Sequence, residues 1–290
     1  MPVLCLIANP LEPALDPTLV NAIHREVGGE LNWLNQRIAA EIVKPKLAGA
    51  DEAARATVRG KPIDVAMVAE EHRRKKLLIA DMDSTMIDQE CIDELADAVG
   101  IKAEVAAITA RAMNGELDFE QALITRVALL KGLARKTIED VRRERITYAA
   151  GGRALVQTMK THGAFTALVS GGFTIFADHI GRRIGFDEAT ANVLEFDGDL
   201  LAGTVTMPIL GRAAKLERLK TLAAFHDVPM AATLAVGDGA NDLDMIRASG
   251  MGVALHAKPI VSAEAPVRID HGDLTALLYL QGYADEDIVR

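Results

Sequence analysis

Cysteine is scarce in this chain. Cys5 and Cys91 are its only two among 290 residues. Two are too few for a disulfide framework, and free thiols suit a reducing compartment, so a cytoplasmic protein is expected. Basic charge is also in deficit: 32 Lys and Arg stand against 41 Asp and Glu, a formal charge of −9. That balance argues against a nucleic-acid binder, which should carry a basic patch, and against docking on anionic membranes. No apolar run reaches the roughly 18 residues of a spanning helix. The N-terminal run Val3–Ile7 has no basic flank and soon meets Pro10, Glu12 and Asp16, so it is not read as a signal peptide. Repeats and low-complexity tracts are missing too.

What is present is ordinary globular composition, half hydrophobic and a quarter charged. The length suggests about two domains. Residues 1–72 read as a small α+β unit. It has a strand at Val3–Ala8, a helix opened by Asp16-Pro17 and ended by Gly28-Gly29, a helix over Asp51–Arg59 and a strand over Ile63–Val68. Leu31–Val43 alternates poorly and fits either strand or helix. The charge run His72-Arg73-Arg74-Lys75-Lys76 reads as a solvated linker.

From residue 77 the pattern changes. Leu77–Ala80, Phe165–Val169 and Thr233–Val236 are short apolar runs without alternation, as expected of parallel strands covered on both faces. Helical segments at 152–162, 173–184, 213–226 and 242–248 alternate with them, which predicts an α/β, Rossmann-like fold. Residues 88–150 are helix-like throughout and form a candidate cap over the carboxyl edge of the sheet. Glu195–Val205 reads as a hairpin.

Each predicted strand ends in a polar or Gly-rich group, at the edge where such folds bind ligands. Asp81 and Asp83 follow the first, Ser170-Gly171-Gly172 the second, and Gly237-Asp238-Gly239-Ala240-Asn241-Asp242 the third. Carboxylates gathered in one crevice repel one another unless a cation neutralises them. Oxygen-only ligation favours a hard ion such as Mg²⁺. Lys215 adds a second positive charge. Ser170 and the glycine amides suit a phosphate, and Ser84 and Thr85 are further candidate donors. An Asp carboxylate can act as a nucleophile on phosphorus. Taken singly, these features are ordinary loop, turn and surface residues; their shared order along the chain gives them weight.

Asp81-Met82-Asp83-Ser84-Thr85, Ser170-Gly171-Gly172, Lys215 and Gly237–Asp242 resemble the four motifs of the haloacid dehalogenase-like phosphatases. Glu90, Phe119, Arg126-Val127, Leu130-Lys131-Gly132, Ser170–Thr174 and His256-Ala257-Lys258-Pro259 are similar to the phosphoserine phosphatase branch. The resemblance covers residues 73–290. It implies a helical cap at about 88–150, with Asp81 as nucleophile and Asp83 as general acid and base. It implies Mg²⁺ held by Asp81, the Asp83 carbonyl and Asp238, with Asp242 behind them. Ser170, Gly171, Lys215 and Asn241 would bind the phosphoryl group. Glu90 would match a substrate ammonium and Arg126 its carboxylate. Met113 and Phe119 are pocket or core candidates, and Cys91 a packed thiol. The implied substrate is a small phosphorylated amino acid, phosphoserine, consumed in the last step of serine biosynthesis. A phosphatase or phosphotransferase for another small metabolite such as phosphohomoserine is the alternative within enzymes. A non-catalytic regulatory binding protein is the alternative of another class. Residues 1–72 are expected to be an ACT-like regulatory unit or a homodimer contact.

Overall fold

The computed structural model describes residues 1–290. Its first six elements are β1 (Pro2–Ala8), α1 (Pro17–Val27), β2 (Glu30–Asn35), β3 (Ala39–Val43), α2 (Ala50–Thr57) and β4 (Ile63–Ala69). The strands pair antiparallel in the order β2-β3-β1-β4, a βαββαβ unit. Asp16 caps α1 by accepting from the Thr18 amide at 2.6 Å, and Pro17 occupies the first helical position. Side chains alternate across a strand. Leu4, Leu6 and Ala8 therefore pack on α1 and α2, while Val3, Cys5 and Ile7 point into the main core. The ambiguous segment 31–43 is a hairpin, β2 and β3. Its alternation is weak because β2 is a half-exposed edge strand.

The charge run after β4 is only partly solvated: His72, Arg74 and Lys76 are exposed, while Arg73 and Lys75 are drawn inward. Arg73 forms a 2.7 Å ion pair with Glu41 and donates to the Leu280 carbonyl at 2.8 Å. Lys75 is buried, and its Nζ donates to the Ala231 carbonyl at 2.7 Å. Long basic side chains can bury their stems while their heads find carbonyls or carboxylates, and composition alone does not reveal those partners. Asp64 adds to the join by accepting from the amides of Asp270 at 2.8 Å and Gly272 at 2.7 Å.

The second sheet is six-stranded and parallel. It contains β5 (Leu77–Ala80), β6 (Phe165–Phe173), β7 (Glu188–Asn192), β10 (Thr233–Gly237), β11 (Met251–Leu255) and β12 (Val267–Ile269), in the order β12-β11-β10-β5-β6-β7. The three strands expected from the sequence are its centre. Leu77, Ile79, Ala167 and Val169 face α9 (Arg212–Phe225) and α10 (Leu243–Ala248). Leu78, Ala80 and Leu168 face α7 (Gly152–Thr161), α8 (Thr174–Ile184) and α12 (Ala276–Leu280). Cover on both faces is why these runs do not alternate. The three flanking strands escaped the sequence reading.

Between β5 and α7 lie α3 (Cys91–Asp97), α4 (Lys102–Met113), α5 (Phe119–Leu129) and α6 (Arg135–Glu144), the expected helical cap. Its two stems meet at an antiparallel bridge between Ile87 and Tyr148. Gln89 Nε2 donates to Thr147 Oγ1 at 2.8 Å, and the Thr147 amide donates back to Gln89 Oε1 at 2.9 Å. The hairpin β8 (Leu194–Asp197) and β9 (Leu200–Val205) braces the cap from the side, accepting from the amides of Gly132 and Arg135 at 2.8 Å each. α11 (Pro259–Ser262) follows β11. No helix is long and apolar enough to cross a membrane.

Candidate active site

The carboxyl ends of β5, β6 and β10 lie side by side, so the residues that follow them converge. Asp81 leaves β5 with its Oδ1 accepting from the Met82 amide and from Lys215 Nζ, each at 2.8 Å. Lys215 projects from the first turn of α9 and is fully buried. It also donates to Asp242 Oδ1 at 2.6 Å. Burial alone would depress the Lys215 ammonium, but Asp242 and Asp81 outweigh it and hold it above its ordinary value.

Asp242 Oδ2 accepts from the Gly239 amide at 3.1 Å, so both of its oxygens are engaged by protein. Asp238 differs. Its Oδ1 accepts from Thr85 Oγ1 at 3.3 Å, while its buried Oδ2 has no hydrogen-bond partner. Lys258 Nζ stands 3.7 Å from that oxygen. Carboxylate oxygens of Asp81, Asp238 and Asp242 lie within 4.8 Å of one another. Burial and neighbouring carboxylates push Asp238 well above the usual range and Asp242 to about 7. Three buried carboxylates against one buried lysine leave excess negative charge. With an unpartnered oxygen on Asp238, this all-oxygen set fits a hard divalent cation.

Asp83 lines the same pocket, its Oδ1 accepting from the Cys91 amide at 3.1 Å where α3 begins. Burial and the adjacent Glu90 push its carboxyl well above the usual range. Ser170 is fully buried, and its Oγ accepts from the Gly172 amide at 2.9 Å. A Cβ on Gly172 would sit 2.6 Å from Asp83 Oδ2. Only glycine fits there without movement. Asn241 Oδ1 is buried without a partner, and the residue lines the pocket.

The cap supplies the opposite wall through Glu90, Met113, Phe119 and Arg126. Met113 and Phe119 thus serve the pocket rather than only the core. Burial raises the Glu90 carboxyl. Arg126 is 2% exposed, and no carboxylate lies within ion-pair distance of it. Phe119 rests on Gly171, where a Cβ would lie 2.5 Å from Phe119 Cζ. The space left between cap and sheet is about 20 Å³, room for about one water. The cap is therefore closed.

Of the ten candidate site residues, seven line this pocket, Asp238 and Asp242 complete the carboxylate cluster, and Lys215 joins Asp81 to Asp242. Ser84 and Thr85 do not offer their hydroxyls to the pocket's anion position. Ser84 Oγ donates to Glu90 Oε1 at 2.7 Å, and Thr85 is committed to Asp238. Residues the sequence reading missed include Thr109 and Asp93, which contact one another and Arg126's surroundings. Lys258 belongs to the His256-Ala257-Lys258-Pro259 motif, which by itself does not place it beside Asp238.

Residues 78–247 match the family model of haloacid dehalogenase-like hydrolases. The chain belongs to the haloacid dehalogenase-like hydrolase family. Its relatives in that family include a phosphoserine phosphatase of Streptomyces coelicolor, 45% identical over 228 residues. That alignment covers 78% of this chain and 55% of the relative, so the chain spans about half the length of that protein. A probable phosphoserine phosphatase from Vibrio cholerae has a solved structure with a TM-score of 0.78 and 32% identity, covering 99% of this chain and 88% of the other. A solved structure described as a phospho-aspartyl intermediate analogue of phosphoserine phosphatase has a TM-score of 0.69 and 39% identity. It covers 73% of this haloacid dehalogenase-like chain and all of its own.

Proposed function

We propose that the chain is a Mg²⁺-dependent phosphoserine phosphatase working through an aspartyl-phosphate on Asp81. The observation that carries this reading is the meeting of Glu90 and Arg126 with Asp81 and Asp83 around one closed pocket. A carboxylate and a guanidinium on the cap suit the ammonium and carboxylate of an amino acid. The nucleophile waits on the sheet side, and the relatives above carry the phosphoserine phosphatase name.

In the proposed reaction the cap opens to admit substrate and closes over it. Lys215, Ser170, the Gly171 amide and Asn241 hold the phosphoryl oxygens. An Asp81 carboxylate oxygen attacks phosphorus, and the bond from phosphorus to the seryl oxygen breaks. Asp83, whose acid form is favoured by burial and by Glu90, gives its proton to that leaving oxygen and frees serine. Asp83 then takes a proton from water, which attacks the phosphorus and releases inorganic phosphate from Asp81. Asp81, the Asp83 carbonyl and Asp238 would hold Mg²⁺, with Asp242 orienting the cluster from behind. Bound there, the ion offsets the repulsion between carboxylates and the phosphate dianion.

Phosphate release from L-phosphoserine, phosphothreonine, phosphohomoserine and an aryl phosphate, with and without Mg²⁺, tests the reading. Turnover is expected to be greatest on L-phosphoserine, to need the metal and to vanish in Asp81→Asn. Preference for phosphohomoserine would move the substrate assignment; absence of metal-dependent release from every ester would leave a binding protein. The buried free thiols Cys5 and Cys91 suit a reducing compartment, and we place the reaction in the cytoplasm, in serine biosynthesis. For residues 1–72 we propose an ACT-like regulatory or dimerisation role. The βαββαβ order and the open edge at β2 support it, and sedimentation across a concentration series, with and without serine, tests it.

A further inference from the structure

We propose that Thr109 is a positioning residue for substrate selection, holding the Arg126 guanidinium open toward the pocket and linking it to Asp93 at one remove. The proposal rests on the functional reading above, in which Arg126 receives a substrate carboxylate.

Arg126 sits on α5 with almost no exposure and no carboxylate in direct contact. A buried cation needs hydrogen bonds in place of water. Two are present: Nε donates to the Ala122 carbonyl at 3.1 Å, one turn back on the same helix, and Nη1 donates to Thr109 Oγ1 at 2.9 Å. Thr109 is itself buried, on α4. Its hydroxyl has one hydrogen to give and two acceptors in reach, Asp93 Oδ1 at 2.7 Å and the Val105 carbonyl at 3.1 Å. The shorter contact is also the charge-assisted one. The result is a relay from the Asp93 carboxylate on α3, through the Thr109 hydroxyl on α4, to the guanidinium on α5.

This arrangement has a specific consequence. A carboxylate paired directly with Arg126 would fill the fork that a substrate carboxylate needs. With Thr109 interposed, only two of the five N–H donors of the guanidinium are committed. The other three are left for a ligand, while Asp93 still favours the charged form from behind. The same hydroxyl ties three cap helices together, so the direction of the fork is set by cap packing rather than by a flexible stem.

The test compares L-phosphoserine with O-phosphoethanolamine, which keeps the phosphate and ammonium but lacks the carboxylate. Thr109→Val preserves shape and removes the hydroxyl. It is expected to raise KM for phosphoserine by about tenfold or more, the scale of a lost bond to a charged group, with kcat changed far less. Its kcat/KM for phosphoethanolamine should move by less than about threefold, since that substrate does not use the Arg126 fork. Thr109→Ser, which keeps the hydroxyl, should restore most of the phosphoserine KM. Equal losses on both substrates, an unchanged phosphoserine KM, or Thr109→Ser as impaired as Thr109→Val would each overturn the proposal. If Thr109→Val does not fold, Asp93→Asn reads the relay from its far end. A partial fall in the phosphoserine-to-phosphoethanolamine ratio supports the relay, and an unchanged ratio refutes it. Wild-type turnover of phosphoserine in the same assay checks the functional reading separately, and its absence would sink both.

Discussion

Replacing Gly171 with alanine should jam the cap. The backbone at Gly171 is outside the left-handed region, so the residue is needed for space rather than for its dihedral freedom. An added Cβ would meet Phe119 Cζ at 2.5 Å and the two Cε atoms at 3.3 Å. Carbon atoms pack at about 3.5–4.0 Å, so the ring must retreat by about 1 Å. Phe119 opens α5, the helix that carries Arg126, and Asp118 caps that helix through the Gln121 amide at 2.9 Å. The retreat therefore tilts α5 or holds the cap ajar. Misplacement of about 1 Å costs about 10²-fold in rate, and that is the expected drop in kcat/KM for phosphoserine. Alanine keeps the amide N–H, so loss of a phosphate donor cannot account for it. Steady-state phosphate release from wild type, Gly171→Ala, Phe119→Leu and the double variant provides the assay. In the double variant the smaller side chain relieves the clash, and the second substitution should add little to the first. Gly171→Ala within about threefold of wild type, or losses that multiply in the double variant, would refute the steric argument.

Chelating divalent cations should lower the melting temperature as well as the rate, because Asp238 Oδ2 is buried without a partner; an ion at 100 times its dissociation constant stabilises by ~2.7 kcal/mol, and calorimetry with and without EDTA checks it. Arg73→Met leaves Glu41 as a buried unpaired carboxylate, which should cost about 3–5 kcal/mol in a denaturant titration. Lys75 is pushed down to about 8 by burial, so the folded state binds fewer protons than the unfolded state between about pH 8 and 10.5. That group makes stability rise with pH across the window and imposes its cost below it. Relative to wild type, Lys75→Met should therefore gain melting temperature as pH falls from about 10 to 7, and a difference independent of pH would refute the assignment.

The centre of the molecule was readable because its signals are local. Leu77–Ala80 and Thr233–Val236 are apolar without alternation since both faces are covered, and Asp81 and Asp238 follow them at once. The margins were not. β7 reads Glu-Ala-Thr-Ala-Asn because it is a polar edge strand, and β12 has only three residues. The β2–β3 turn places Arg37 at a φ of 65° without the Gly or Asn that would announce it. The basic run after β4 looked solvated because its partners Glu41, Leu280 and Ala231 are remote in sequence. In the site, Asp81, Ser170, Lys215 and Asp238 were marked by strand ends and motif order. Thr109 had no such mark, since a hydroxyl inside a helix carries no period and its role arises only where three helices meet.

The sharing of one core between the N-terminal sheet and α12 separates two meanings of the word module. As a stretch of chain the N-terminal unit is separate, since the family match begins only at residue 78. As a physical object it is not. Val3, Cys5, Ile7, Ala66 and Val68 sit in the same apolar cluster as Leu277 and Leu280. A shortened version of this chain would turn that buried wall into an exposed greasy patch and would associate or aggregate. Acquiring or losing the unit thus requires resurfacing α12 in step with it. Cutting at residue 72 alone leaves the rest of the chain with an apolar surface open to water, so a stand-alone fragment needs polar replacements on α12 designed together with the cut.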